Sequence, residues 1–301
     1  MIALALAALA LAGCPHDAAL GSVSFQRGGT KHVVSLATCR ERIGGRFVPR
    51  AAPPVRGVIV RDHALWARRG GRLVRLTPSL HGPDGLRAWP EPLSLSPDGR
   101  YVLWVRAAVN SNSYGADGLP LAITLLAGGR TRQLGISLGS PDYWAWCGSA
   151  LVFVAGGNRI ATTNKRLEIA RAPDWTPRPL WRAPTRAFGS LACAPDGRSV
   201  AVLSQRASTN AYFFATRWQL WRVSLDGSHR LLDAPPAGDA DESPQWSRDG
   251  RALLFVRERK GYGSLMLWRA GRVVGPFANL GYSLGYYGHH AWSVVWSAAA
   301  H

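Results

Sequence analysis

One short pattern recurs along the chain and decides what it can fold into. It reads PLSLSPDGRYVLWV at 92–105, SLACAPDGRSVAVL at 190–203 and SPQWSRDGRALLFV at 243–256. Each copy is strand, tight turn, strand: Asp98-Gly99, Asp196-Gly197 and Asp249-Gly250 can take the positive φ that hairpin turns need, and apolar residues alternate after each turn. A fourth copy, YWAWCGSALVFV at 143–154, keeps the flanks with a shorter turn. With the flanks aligned, Trp104, Phe153, Val202 and Phe255 share one column, and Leu95, Trp146, Cys193 and Trp246 share another.

A second, looser hairpin follows each copy, so the repeating unit has four strands and a period of about 40 to 50 residues, the range of propeller blades. Two further outer hairpins lie upstream, at 64–77 and 22–43. The segment at 22–43 lacks an innermost strand, and YYGHHAWSVVWS at 286–297 is a strand without an outer hairpin. Each completes the other. Two hairpins cannot bury both faces of a sheet, so units must stack on neighbours and the array must close. The reading is an all-β fold, a six-bladed β-propeller of four-stranded antiparallel blades over 22–297. Its C-terminal strand pairs with the N-terminal one, and Tyr286, Tyr287, Trp292 and Trp296 fill the seam.

Composition agrees. Of 301 residues, 33 are Gly and 20 Pro, which excludes a helical bundle, while 47% hydrophobic content fills a sizeable core. No apolar run of spanning length lies outside the N-terminus. The net charge is +18, almost all arginine, since the lysines are Lys31, Lys165 and Lys260. The arginines recur singly after turn glycines, as at Arg72, Arg100, Arg130, Arg198 and Arg251, which reads as solvated turn charge with an attraction to polyanions. No nucleic-acid motif accompanies it, and nucleic acid is not an expected partner.

The first fourteen residues, MIALALAALALAGC, form an apolar run too short to span a bilayer, ending in Leu11-Ala12-Gly13-Cys14. This segment resembles a bacterial lipoprotein signal peptide. The resemblance implies lipid attachment at Cys14, with 1–14 as signal, 15–21 as a short tether, and a membrane-anchored location outside the cytoplasm. Cys39, Cys147 and Cys193 then remain, so at most one pair can form in an oxidising compartment. Cys147 and Cys193 lie in neighbouring units, one column apart, and so leave opposite faces of their sheets. Adjacent stacked sheets touch through opposite faces, which makes a Cys147–Cys193 bridge possible and leaves Cys39 free.

The pattern Trp246-Ser247-Arg248-Asp249-Gly250-Arg251, with Leu253 and Phe255, resembles the repeats of the TolB C-terminal domain and related bacterial propellers. The resemblance covers nearly the whole chain after the signal. It implies a six-bladed envelope propeller acting through protein contacts. The α/β domain that precedes the TolB propeller has no counterpart in this sequence, so a role in a Tol-type system is not carried over. The repeat is specific for fold and poor for function, because such blades also serve prolyl-oligopeptidase-type peptidases.

Chemistry is sparse. Gly135-Ile136-Ser137-Leu138-Gly139 has the letters of a nucleophile elbow but lies between strands, where no helix can follow the serine. The aspartates of the three turns read as turn chemistry, and Asp239-Ala240-Asp241-Glu242 as a solvated loop between units, the alternative being a stretch that lines the channel mouth or binds a cation. His289 and His290 have no metal-ligand spacing around them. The expectation is a monomeric protein with no catalytic residues, metal or cofactor, which is not an enzyme and binds an envelope protein or peptide at its channel face. An anionic cell-wall or saccharide ligand is the alternative. Candidate binding residues lie in the loops at 110–117, 208–212 and 259–262: Asn110, Tyr114, Asp117, Asn210, Tyr212, Arg259 and Tyr262.

Overall fold

A computed structural model describes residues 13–47, 55–81, 88–108, 118–138, 141–209, 217–283 and 292–297. The fold is all-β, and among the described residues the only helical elements are single 3-10 turns at Ala18–Leu20 and Pro141–Tyr143. The first sheet begins with β1 (Ser22–Arg27), β2 (Thr30–Ser35) and β3 (Glu41–Ile43), and the second holds β4 (Val58–Arg61), β5 (Ala64–Arg69) and β6 (Arg72–Arg75). The third unit is β7 (Ala88–Leu95), β8 (Tyr101–Ala108), β9 (Leu119–Leu125) and β10 (Thr131–Ser137). The fourth is β11 (Trp144–Cys147), β12 (Ala150–Ala155), β13 (Arg166–Arg171) and β14 (Arg178–Trp181). The fifth is β15 (Arg186–Cys193), β16 (Ser199–Arg206), β17 (Gln219–Ser224) and β18 (His229–Asp233). The sixth is β19 (Asp239–Trp246), β20 (Ala252–Arg259), β21 (Tyr262–Arg269) and β22 (Arg272–Tyr282), and β23 (Val294–Ser297) ends the chain's strands.

All pairings are antiparallel. The third and fourth units touch edge to edge through one pair, Ser137↔Ala155, and so form one continuous sheet of eight strands. β23 pairs with β1 from Phe25↔Val294 to Ser22↔Ser297, giving the order β23-β1-β2-β3. The first sheet is therefore built from both ends of the chain. The second sheet has three strands among the described residues.

Strand alternation explains the stacking. In β8, Val102 and Trp104 enter a core shared with the second sheet, while Tyr101, Leu103 and Val105 enter one shared with the fourth. β12 divides likewise, with Leu151 and Phe153 facing back and Val152 and Val154 facing the fifth unit. β16 places Val200 and Val202 against the fourth unit and Ala201 and Leu203 against the sixth. β20 sends Leu253 and Phe255 to the fifth unit and Leu254 and Val256 to the first sheet, where they meet Val23, Phe25 and Val34. Five cores thus join the six units in series, from the second through the sixth to the first. The column Trp104, Phe153, Val202 and Phe255 is 2% exposed or less, and each such side chain contributes about 1.5–3 kcal/mol by leaving water.

The second column is half-buried and ties neighbouring inner strands together. The indole N–H of Trp146 donates to Ser94 Oγ at 2.9 Å, and that of Trp246 to the Ala192 carbonyl at 3.1 Å. Cys193, in the same column, reaches back instead through sulfur, bonded to Cys147 with Cα atoms 5.5 Å apart. The facing-sheet geometry therefore places these two cysteines together. Cys39 is not free as expected: it is bonded to Cys14, Cα to Cα 5.7 Å.

The repeated turns differ in detail from a two-residue hairpin. Only the glycines are left-handed, with φ of 68°, 67° and 70° at Gly99, Gly197 and Gly250. Each aspartate instead accepts from the backbone two residues on: Asp98 from Arg100 N (3.1 Å), Asp196 from Arg198 N (2.9 Å) and Asp249 from Arg251 N (3.0 Å). Ser96 and Ser247 hydroxyls donate to Asp98 and Asp249 and hold those carboxyls below the ordinary value. Turn chemistry accounts for these aspartates.

A chain ending at Trp292 tests the closure. Without β23 it exposes one edge of β1 and loses buried Val294 and the Trp296 packing, and several kcal/mol at about 2–4 °C each lowers the melting temperature by about 10 °C or more. An unchanged transition in differential scanning calorimetry contradicts closure through β23.

Candidate functional site

The registers bring several chain segments to one end of the sheets. Asp239↔Arg259 sets the start of β19 beside the end of β20, and Tyr262↔Tyr282 sets the start of β21 beside the end of β22. Arg27, at the end of β1, joins this edge by donating to the Asn279 carbonyl at 2.6 Å and pairing with Glu41. Between them lies a cleft of about 250 Å³ lined by Gln26, Arg27, Leu280, Tyr282 and Trp292. Tyr282, which lines it, meets Tyr262 edge to face with 5.3 Å between rings, and the two are 54% and 56% exposed. Large aromatics left this open are uncommon and suit contact with a partner.

Behind this edge is a group of buried carboxylates. The stretch Asp239-Ala240-Asp241-Glu242 is not a solvated loop, as expected, but the first half of β19, with Asp241 and Glu242 0% exposed. Alternation splits them. Asp239 and Asp241 share a face with their partners across the ladder, Arg259 (3.3 Å) and Arg257 (3.0 Å), and Arg257 also pairs with Asp233 of β18, tying the sixth unit to the fifth. Glu242 and Glu258 lie diagonally on the other face, where Glu258 accepts from the Gly261 amide and so secures the β20–β21 turn.

Burial pushes the Glu242 carboxyl well above its ordinary range, and the charges of Glu258, Asp142 and Asp241 push it further. Asp241 is also raised by burial, against the lowering effect of Arg257. Glu258 is raised by burial and by Asp239. Tyr143, buried beside this group, is raised by burial and by Glu242. These groups hold protons under conditions in which exposed carboxyls have lost them. Lys165, 1% exposed, is the opposite case: burial brings it down to about 8, and its ammonium donates to the carbonyls of Asn158, Ile160 and Thr163. It staples the β12–β13 connection at the same end.

Of the seven candidate binding residues, Arg259 and Tyr262 flank the β20–β21 turn, with the Arg259 side chain 70% exposed. Asn110, Tyr114, Asp117, Asn210 and Tyr212 lie outside the described residues, as do Tyr286, Tyr287, His289 and His290. Trp292 and Trp296 both pack against the core of the first and sixth sheets. Ser137 of the elbow-like sequence is 0% exposed and donates to the Val154 carbonyl at 2.7 Å, a structural role. Among the described residues, no group of three His, Cys, Asp or Glu is placed to hold a metal ion.

The sequence reading missed the carboxylates as a group, although a signal for them exists. With Leu95, Trp146 and Trp246 aligned, Glu91, Asp142 and Glu242 fall in one column, four residues earlier, and the fifth unit has Gly189 there. Of these, Asp142, in the 3-10 turn before β11, comes near enough to Glu242 of β19 to act on its carboxyl, so two acids distant in sequence converge.

No family model matches the sequence, and no curated protein matches it. Solved structures do align with it. A structure assigned as TolB from Agrobacterium tumefaciens is 14% identical, with a TM-score of 0.48 over 92% of this chain and 98% of its own. Oligogalacturonate lyase from Vibrio parahaemolyticus is 10% identical, TM-score 0.46, over 89% and 80% of the two chains. Prolyl oligopeptidase B from Galerina marginata is 11% identical, TM-score 0.43, over 84% of this chain and 38% of its own. A lyase and peptidases among these neighbours overturn the expectation that this chain is not an enzyme. At such identities no activity passes from them to this protein, and no catalytic site is apparent among the described residues.

The raised carboxyls make stability depend on pH in a stated direction. Glu242 binds its proton more tightly folded than unfolded, so its contribution is fully present below the ordinary glutamate value of 4.5 and is lost as pH rises through the higher folded value. Glu242→Gln, which cannot ionise, should match the wild type at pH 4 and exceed it at pH 8 by about 1–3 kcal/mol, the scale of desolvating a buried polar group. Urea melts across that range check the crossover.

Proposed function

We propose that this protein is an exported six-bladed propeller, its ring completed by the β23–β1 pairing, which binds a protein or peptide of the cell envelope at the end of the sheets carrying the β20–β21 turn. The observation that carries the reading is the exposed Tyr262–Tyr282 pair, of which Tyr282 lines the cleft between the first and sixth units, with Arg259 paired to Tyr262 across the β20–β21 ladder. Aromatic and arginine side chains supply most hot spots of protein interfaces. These stand on strands anchored by the Asp239–Arg259 and Glu258–Gly261 contacts, so little ordering is needed on binding. Export is supported by the two disulfides, since such crosslinks persist in oxidising compartments.

A second reading, an anionic wall polymer or saccharide, is favoured by the net charge of +18. Ionic strength separates the two, because polyanion binding collapses when the Debye length shrinks from about 10 Å at 0.1 M salt to about 3 Å at 1 M. The experiment is chemical crosslinking of the purified protein to envelope extract at both salt concentrations, with the Tyr262→Ser, Tyr282→Ser double variant alongside. The expected outcome is a discrete protein adduct that survives high salt and falls at least about tenfold in the variant, as for two hot-spot side chains of about 1 kcal/mol or more each. An adduct that ignores the tyrosines contradicts this face, and one lost at high salt supports the anionic ligand.

A further inference from the structure

We propose that Cys14 is a structural half-cystine that clasps the amino-terminal segment onto the closing sheet, and that it is not the acceptor of a lipid. The two fates exclude each other. A lipid thioether and a disulfide both need the one sulfur of Cys14, and that sulfur is bonded to Cys39 in the connection between β2 and β3. The proposal is independent of what the binding face takes.

The surroundings of Cys14 are those of a folded core and not of an anchor. Cys14 is 6% exposed. Gly13, the residue that a lipoprotein would lose on processing, lies so close to the sixth sheet that a β-carbon there would stand 2.6 Å from the Pro276 carbonyl oxygen. Only glycine fits, so this residue is part of the packing. The next seven residues, expected as a tether, are consumed by the fold. The amide of Asp17 donates to the Leu36 carbonyl at 3.1 Å, and its carboxylate pairs with Arg269 of β21 at 2.5 Å. Leu20 is buried, and its carbonyl accepts from the Trp296 indole at 2.7 Å. A seven-residue tether extended to about 3.5 Å per residue would reach about 24 Å from the domain. Packed in this way it reaches nowhere, and acyl chains on Cys14 would have to leave from a buried sulfur.

The segment also has a mechanical task. Residues 17–20 bridge Arg269 of the sixth unit, Leu36 beyond β2 and Trp296 of β23, so the Cys14–Cys39 bond fastens a strip across the place where the two chain ends meet. Its formation is a two-electron oxidation. The Cys14 thiolate attacks the disulfide of an oxidised dithiol oxidase of the compartment, giving a mixed disulfide and releasing one oxidase thiolate. The Cys39 thiolate then displaces the second, so the new S–S bond forms as the two oxidase thiolates take up the two protons the cysteine thiols gave up and the oxidase becomes a dithiol.

The test uses the full 301-residue chain expressed with export in a bacterium. Free thiols are alkylated, the protein is digested without reduction, and the peptides are weighed. The expected result is a Cys14 peptide joined to a Cys39 peptide, two hydrogens lighter than their sum and separated by reductant. Diacylglycerol on Cys14, or alkylation of both cysteines, overturns the proposal. Cys39→Ser supplies a second reading: it should lower the melting temperature by several degrees, Cys14→Ser should do the same, and the double variant should add nothing. Additive losses, or incorporation of labelled palmitate at Cys14 once Cys39 is gone, contradict the clasp.

Discussion

The structure rests on the alternation of side chains along the central strands. Because β8, β12, β16 and β20 each send successive residues into two different cores, no sheet of this protein can be stable alone. Each supplies one half of two interfaces, and removing any unit strips apolar surface from both neighbours. The same constraint gives the chain ends their importance. β1 opens the sequence of strands without an inner partner, and only β23 can supply one without leaving an unpaired ladder at the core. Stability is thereby shared among the sheets and concentrated at the one sheet made from both termini.

The inner strands carry a further consequence. Equivalent columns of successive units face equivalent interiors, so a residue type repeated in one column repeats its effect from unit to unit. Apolar columns accumulate burial, as with Trp104, Phe153, Val202 and Phe255. Acids gathered in a poorly solvated place oppose one another's charge, and burial together with the charges of Glu258, Asp142 and Asp241 holds the Glu242 carboxyl well above its ordinary range. A chain of net charge +18 thus keeps a group of its few acids buried, with Glu242 and Asp241 raised by that burial. The exposed tyrosines and Arg259 stand at the same end, so the interior acids and the candidate contact face share β19, β20 and the turn that Glu258 secures.

Much of the fold was legible because it repeats. The Asp-Gly turns, the column of large apolar residues and the missing inner strand at 22–43 each stated one local rule several times over, and the pairing of β23 with β1 followed from counting strands. The Cys147–Cys193 contact was legible for the same reason, being a statement about columns in adjacent units. The candidate site was legible only in part. Arg259 and Tyr262 could be found because a turn between two strands must lie at a sheet end. Tyr282 and Arg27 could not, since nothing in their own segments marks them as neighbours of that turn.

By itself the sequence determined strand periodicity and turn chemistry, because each depends on residues a few positions apart. Tertiary structure alone decided the burial of Asp241 and Glu242 and the partner of Cys14. A run such as Asp-Ala-Asp-Glu has the letters of a solvated loop, and it becomes an inner strand only when the fifth unit and Arg257 close over it. Cys14 carries the letters of a lipid acceptor, and it meets Cys39 only because Gly13, Asp17 and Leu20 find seats on the sixth and first sheets. Both outcomes turn on surfaces brought together from opposite ends of the chain, and no local pattern records the energy gained when they meet.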